Sequence, residues 1–429
     1  MNKLTTLFLT TAFTIFFAGK GIAKADEDNG RLLPAVTFSG YIKSDFIFDT
    51  RQNVSVRENM LLLYPKPRLT GEDGADINDA GNIQFIPFQT RMTARFTGTE
   101  ALNARISGVI EGEFFGSTDM DVNGFRLRIA SINMDWDTPG ISLLLGQTWH
   151  PFFVTECFPT TASINTGIPF NPFARNPQMA ISWRNDNLKF SAAAVSQVDF
   201  KSPGPNGAAT EYLRNSGLPE LTGKIYYFST NNKFLIGAAS SYKQLRPRLA
   251  NDAGSKVNEN ITSSSFMGFT KYNTGLTTLK MAGILGQDMF HLTMLGGYAV
   301  RSDNSYTDAH LFNQELYYTP VSTFSAWGEF IYGREWEFGL FAGYSSNRGA
   351  KDDISLEGRE SVFYSRGNDI NHLFRVSPRL SYTMKNLRVG VETEYTQAAY
   401  ARSLDNFGKP GASDPVGNTR LLFFAFYYF

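Results

Sequence analysis

The chain has 429 residues, 40 basic against 40 acidic, with 37 Phe, 19 Tyr and a mean hydropathy of −0.22. A zero net charge without a Lys/Arg-rich run gives no basis for a nucleic-acid partner, and the average is too polar for a bundle of membrane helices. The single cysteine, Cys157, excludes an internal disulfide. So many aromatics in so polar a chain suit a wall with one apolar and one wet face.

At the amino end Lys3 precedes an apolar run from Leu4 to Ala18, and Ala23-Lys24-Ala25 offers a small-residue cleavage site ahead of Asp26-Glu27-Asp28. This reads as a secretory signal peptide over 1–25, because the run of roughly 15 residues is short of the ~20 that span a bilayer as a helix. A short periplasmic segment over 26–34 would follow, and then one domain over 35–429.

That domain opens with 35–49, where Val36, Phe38, Ile42, Phe46 and Phe48 alternate with Thr37, Lys43, Asp45 and Asp49. A two-residue period marks a strand with unlike faces. Residues 84–97 repeat it, with Ile86, Phe88, Met92 and Phe96 against Gln89, Arg91, Thr93 and Arg95, and 98–101 reads as a tight turn. Next, 102–115 sets Leu102, Ala104, Ile106 and Ile110 against Arg105, Ser107, Glu111 and Glu113. In 125–136, Arg126 and Arg128 oppose Phe125, Leu127 and Ile129, but Asn133 and Asp135 fall on the other parity. A bulge between them would reconcile the two halves.

Asp137-Thr138-Pro139-Gly140 turns the chain into 141–149. Further strands are read at 178–184, 188–198, 221–228, 233–243, 264–272, 276–286, 323–332, 336–345, 372–384, 387–400 and 419–429. Short turns alternate with long stretches at 50–83, 150–177, 287–321 and 347–371. The fold expected is all-β: a closed antiparallel transmembrane barrel of sixteen strands, with eighteen as the alternative, wide enough for an aqueous channel.

The last stretch, TRLLFFAFYYF, carries Leu421, Phe423, Ala425, Tyr427 and Phe429 on one side. In a soluble protein such a strand is an aggregation hazard; in an outer-membrane barrel it is the closing strand, apolar side in lipid and aromatic tip at the interface. Phe423, Tyr427 and Phe429 resemble the terminal signal read by the barrel assembly machinery. That machinery and outer-membrane lipid are therefore expected partners.

The order PFQTRMTARF, VIEGEFFG, FRLRIASINMDW, LLLGQTW and FARNPQMAISW, within 87–183, resembles the DcaP-like porins of Gram-negative bacteria. The matching points are Gln89-Thr90-Arg91, the strand end from Glu111 to Gly116, Arg126 to Ala130, and Gly146 to Trp149. The resemblance implies a homotrimeric passive diffusion channel for small hydrophilic solutes, organic acids such as dicarboxylates among them. It also makes 150–177 a constriction loop folded into the barrel. That loop holds His150, Phe152, Phe153, Phe158, Phe170, Phe173 and Arg175 with five prolines, a composition suited to a stiff, buried segment. The alternative for it is an outer lid or a trimer contact.

Parity turns Arg91, Arg95, Arg105, Arg126, Arg128, Lys189, Lys224, Lys280, Arg375, Arg379 and Arg388 inward, against Glu111, Glu113, Glu329, Glu337, Glu392 and Glu394. Gln147 joins them as a pore-lining candidate. The excess is basic, and a low-dielectric wall focuses it on a permeating ion, so anion preference is expected. The alternative is that these charges pair across strands and merely satisfy the wall. Arg91, Arg95, Arg126 and Arg128 are the best candidates for a ladder.

Enzymatic readings find little support. His150, His291, His310 and His372 lie far apart without metal-ligand spacing, and His372 near Ser377 is the single faint hydrolase pairing. No catalysis, metal or cofactor is expected. Two rivals to the channel are a transporter of hydrophobic compounds, which needs an apolar lumen and a plug, and a surface adhesin using the loops 50–83 and 287–321.

Overall fold

The structure, a computed structural model, describes residues 34–87, 89–163, 165–302, 316–354 and 363–429. The expected signal peptide, the segment before Pro34, the apolar-face assignment of Phe88, and His310 lie outside the described residues.

The chain runs through β1 (Ala35–Asp49), β2 (Asn53–Val56), β3 (Leu61–Pro65), β4 (Asn82–Ile86), β5 (Arg91–Ala101), β6 (Ala104–Phe114) and β7 (Phe125–Trp136). It continues through β8 (Ile141–Trp149), β9 (Arg175–Arg184), β10 (Leu188–Val195), α1 (Glu211–Ser216), β11 (Glu220–Phe228), β12 (Phe234–Leu245), β13 (Ile261–Asn273) and β14 (Thr277–Gln287). Last come β15 (Gly296–Val300), β16 (Tyr318–Gly333), β17 (Trp336–Ala350), β18 (Phe363–Arg366), β19 (Ile370–Met384), β20 (Leu387–Ala401) and β21 (Ser413–Tyr428).

β4 and β5 both pair with β1 and form one wall strand, broken next to Pro87, which has no amide to give the ladder. With the hairpin β2–β3 and the short rim strands β15 and β18 set aside, a closed antiparallel barrel of 16 strands remains. β1 meets β21 from Tyr41↔Tyr428 to Asp49↔Arg420 and closes the ring. The backbone of Phe429 exchanges two hydrogen bonds with Gly40, at 3.0 and 3.1 Å. A Cβ on Gly40 would stand 2.8 Å from the Phe429 ring and 2.2 Å from a backbone oxygen, so only glycine admits this seam.

Two irregularities bear on the sequence reading. The turn expected at 98–101 is instead a bulge: β5 continues to Ala101, the register with β6 shifts between Phe96 and Thr99, and the turn falls on Leu102 and Asn103 at φ 54° and 57°. Gly98, at φ 92°, serves the bulge and not a turn. In β7 the bulge that parity requires is present. Glu111 faces Ile129 and Gly112 faces Leu127, leaving Arg128 as the extra residue.

The faces are the inverse of a water-soluble protein. Ile42, Phe125, Leu127, Ile181, Phe266, Met281, Leu285 and Phe423 are exposed on the outside, while Lys43, Glu113, Arg128, Glu329, Arg375, Arg379 and Glu392 are buried inside. No helix among the described residues is long and apolar enough to cross a membrane.

Three long connections turn inward and build an apolar core inside the barrel. Loop one (50–81), within the long stretch expected at 50–83, carries the run Met60–Tyr64, which is buried. Its hairpin rests on the wall: Arg420 Nη2 donates to Asn59 O (2.8 Å), Arg375 Nη2 to Leu62 O (3.0 Å) and Tyr400 Oη to Pro65 O (2.6 Å). Loop three (150–174) adds Phe152, Phe153, Ile168, Phe170 and Phe173, and loop six, starting at Asp288, adds Leu292 and Leu295. Each such side chain contributes about 1.5–3 kcal/mol by leaving water.

Candidate pore constriction

Loop three leaves β8 at Trp149 and crosses to the far wall, where polar and charged side chains of five strands receive it. Phe158 O accepts from Lys280 Nζ on β14 (3.0 Å), and the Thr160 amide donates to both carboxylate oxygens of Glu329 on β16 (3.0 and 3.1 Å). The Ala162 amide donates to Glu392 on β20 (2.7 Å), while its carbonyl accepts from Lys43 on β1 (2.9 Å). Asn165 Nδ2 donates to Glu394 (2.7 Å), Arg375 Nη1 to Ile168 O (2.8 Å), and Ser325 Oγ to Phe170 O (2.9 Å). A buried loop must satisfy its backbone somewhere, and here the wall does it.

The charges in this region balance. Lys43, Lys280, Arg375, Arg379 and Arg420 stand against Asp45, Asp49, Glu329, Glu392 and Glu394, with Lys280–Glu329 at 3.0 Å, Arg379–Glu329 at 2.9 Å and Arg420–Asp49 at 2.8 Å. Glycines make the fit. A Cβ on Gly343 would lie 2.5 Å from the Phe170 ring, and one on Gly167, at φ 82°, would lie 2.6 Å from Pro159.

A second group of charges sits where loop three starts and ends. Glu113 on β6 is fully buried and takes Arg126 Nη2 (2.8 Å), Arg91 Nη2 (3.2 Å) and Arg128 Nη1. Arg128 Nε also donates to Glu111 (2.7 Å). Asp199, in loop four (196–219), receives Arg126 Nη1 at 3.1 Å, with Arg57 of loop one at 3.6 Å and Arg175 of β9 at 3.7 Å. Five guanidiniums, Arg57, Arg91, Arg126, Arg128 and Arg175, thus face three carboxylates, Glu111, Glu113 and Asp199, a surplus of two positive charges. Arg91, at 22% exposed, and Asp199, at 19%, reach solvent. Aromatic faces line the group: Trp149 lies 5.5 Å from the Arg128 guanidinium, and Phe115 lies 4.9 Å from that of Arg126.

The third cluster joins the root of loop three to loop six. His150, Glu220 and His291 are buried with ligand atoms within 4.8 Å of one another, close enough for a cation. Their hydrogen bonds say otherwise. The Phe152 amide donates to His150 Nδ1 (3.2 Å), and Lys243 Nζ, which only donates, lies 2.7 Å from His291 Nδ1. Both rings therefore carry their proton on Nε2: that of His291 hydrogen-bonds Glu220 at 3.0 Å, and that of His150 lies 3.4 Å from the other carboxylate oxygen, outside hydrogen-bond geometry. A metal-bound imidazole donates from its other nitrogen, and neither ring can. The cluster is a proton-bonded clamp.

The sequence-derived candidates distribute over these regions. Arg91, Arg126, Arg128, Glu111 and Glu113 come together as the surplus-charge group; Arg95 is exposed further down β5. Arg105 lies at the turn rim, where it pairs with Asp137, and not in the wall's interior. Gln147 donates to the carbonyls of Leu127 and Arg128 at the β7 bulge (3.3 and 3.0 Å). Arg375, Arg379 and Glu392 are buried beneath loop three, and Arg388 pairs with Glu337 (2.9 Å). Arg175, counted with the loop, is the first residue of β9. Phe153 stacks on Trp149 (centroids 3.9 Å apart) with Phe173 and Phe158 around it, and Phe152 and Phe170 are wholly buried. Phe423, Tyr427 and Phe429 all face outward. Arg57, Asp199, Glu220 and Lys243 were missed, being isolated charges in loops or at strand ends without a pattern to mark them.

The architecture has close counterparts among solved structures. The outer membrane channel DcaP of Acinetobacter baumannii superposes with a TM-score of 0.67 over 95% of this chain and 99% of that one, at 16% identity. The chain has the fold of the DcaP-like porins. OmpT of Vibrio cholerae (TM-score 0.53, 11% identity, 95% of this chain and 100% of that one) and an anion-selective porin from Comamonas acidovorans (0.53, 10%, 92% and 100%) share the barrel more loosely. No family model and no curated protein sequence matches the chain. What relates it to the DcaP-like fold is the course of the backbone.

Proposed function

We propose that this protein is an outer-membrane porin, a homotrimeric passive diffusion channel that prefers small hydrophilic anions such as organic acids and performs no catalysis. One observation carries the reading: the five-arginine, three-carboxylate group beside the ends of loop three. In a low-dielectric wall a surplus of two positive charges raises the local concentration of anions and lowers their barrier to entry. The outward apolar band is the surface a bilayer requires, and the outward Phe423, Tyr427 and Phe429 fit a role in assembly. The likeness in fold to a DcaP channel and to a porin described as anion-selective supports the same reading. The trimer rests on the family resemblance and on a trimeric form among the structures with this barrel.

The test is single-channel recording of the purified protein in a planar bilayer under a salt gradient. Conductance steps in threes with an anion-biased reversal potential are expected. A silent barrel would overturn the channel in favour of an adhesin, and a cation-biased potential would overturn the anion preference.

A further inference from the structure

Within the surplus-charge group one arginine has its whole guanidinium buried without a hydrogen bond. Arg175 is 1% exposed, and none of Nε, Nη1 and Nη2 has a hydrogen-bond partner among the described residues. Its guanidinium lies among the rings of Trp149 (4.9 Å), Phe173 (5.4 Å) and Phe200 (5.5 Å). Burying five unspent donors is costly unless something comes to take them.

The carboxylate of Asp199 stands in front of them. It touches guanidiniums from three separate elements, yet lies within hydrogen-bond distance of only one: 3.1 Å to Arg126, against 3.6 Å to Arg57 and 3.7 Å to Arg175. A free carboxylate can approach a guanidinium fork as a bidentate pair at about 2.7–2.9 Å; this one is held back by its place in loop four, one residue from Phe200. It neutralises the site without filling it.

Resting on the anion-channel reading above, we propose that Arg57, Arg126 and Arg175 form a carboxylate-binding site in the permeation path, and that Asp199 is a tethered occupant which the carboxylate of a passing solute displaces. Asp199 thereby sets affinity: it competes at the site, so a solute binds weakly enough to leave again, as conduction demands.

The experiment titrates benzoate into the detergent-solubilised full-length protein by calorimetry, comparing wild type with Asp199→Asn and Glu111→Gln. Both variants remove one negative charge from the group, but only the first neutralises the group that occupies the site. Asp199→Asn is expected to tighten binding on the order of tenfold, the effect of removing one competing charge-assisted contact, with Glu111→Gln changing it far less. Adding Arg175→Gln to Asp199→Asn should abolish the gain; where that double variant fails to fold, the first comparison decides. Equal tightening in the two single variants would reduce Asp199 to a contributor to the general field and overturn the site, as would absence of binding in wild type and Asp199→Asn alike. Calorimetry is independent of conduction, so these outcomes stand apart from a bilayer result that overturns the channel itself.

Discussion

Two regions of the barrel interior use the same residue types to opposite ends. Under loop three, Lys43, Lys280, Arg375, Arg379 and Arg420 meet an equal number of carboxylates, and Lys43, Lys280, Arg375, Glu329 and Glu392 also bond the loop backbone. At the loop's ends the arginines outnumber their partners, and Arg57, Arg91 and Arg175 keep donors unspent. The first arrangement is mortar: paired and dry, it holds a segment in place. The second leaves charge available to a mobile ion. Composition alone does not separate them, since both are strips of Arg, Lys and Glu on inward faces.

The comparison can be broken by experiments in descending order of effect. Deleting 152–173 removes what the mortar holds, and conductance should rise several-fold in bilayer recordings; an unchanged conductance would show the loop to be no constriction. Glu329→Ala strands Lys280 and Arg379 in the balanced region, which should cost about 3–5 kcal/mol of stability in denaturant titration while leaving the reversal potential where it was. Replacing Arg126 and Arg128 together by Ala should do the reverse in kind, lowering the anion-to-cation permeability ratio roughly threefold to tenfold; an unmoved reversal potential would place the selectivity elsewhere.

A smaller effect comes with acid. Burial first, and then the Lys243 ammonium, hold His291 below its ordinary value of 6.5. The unfolded chain then binds the extra proton more readily, so this contribution is complete above 6.5 and is lost as the pH falls below it toward the folded value. Melting temperature should drop between about pH 7.5 and about pH 5, by less in His291→Gln, with the clamp at Glu220 as its origin. Smallest of all, Arg105→Ala breaks an exposed pair with Asp137 and should change stability by less than about 0.5 kcal/mol and selectivity not at all.

The wall was legible in the sequence because its rule is local. A period of two needs only neighbours to be read, and even the β7 bulge showed itself as a parity break between Arg128 and Asn133. The interior was not legible in the same way. Met60–Tyr64 reads as a short apolar run in a polar loop, and nothing nearby in sequence says that Arg375 and Arg420, more than three hundred residues on, will hold it. Parity also assigns a side chain to the inside without saying whether it meets water or protein there. Arg91 and Arg375 look alike on the strand; one reaches solvent and the other is sealed by Ile168 and Leu62.

One residue of loop three, Ala162, ties these themes to how the barrel closes. The carbonyl of Ala162 is bound from β1, on one side of the β1–β21 seam, and its amide from β20, on the other. Until the first and last strands meet, the two partners cannot reach the same residue. The loop thus spans the joint like a drawstring: a barrel that opens at its seam pulls the two partners of Ala162 apart and must give up one of those bonds.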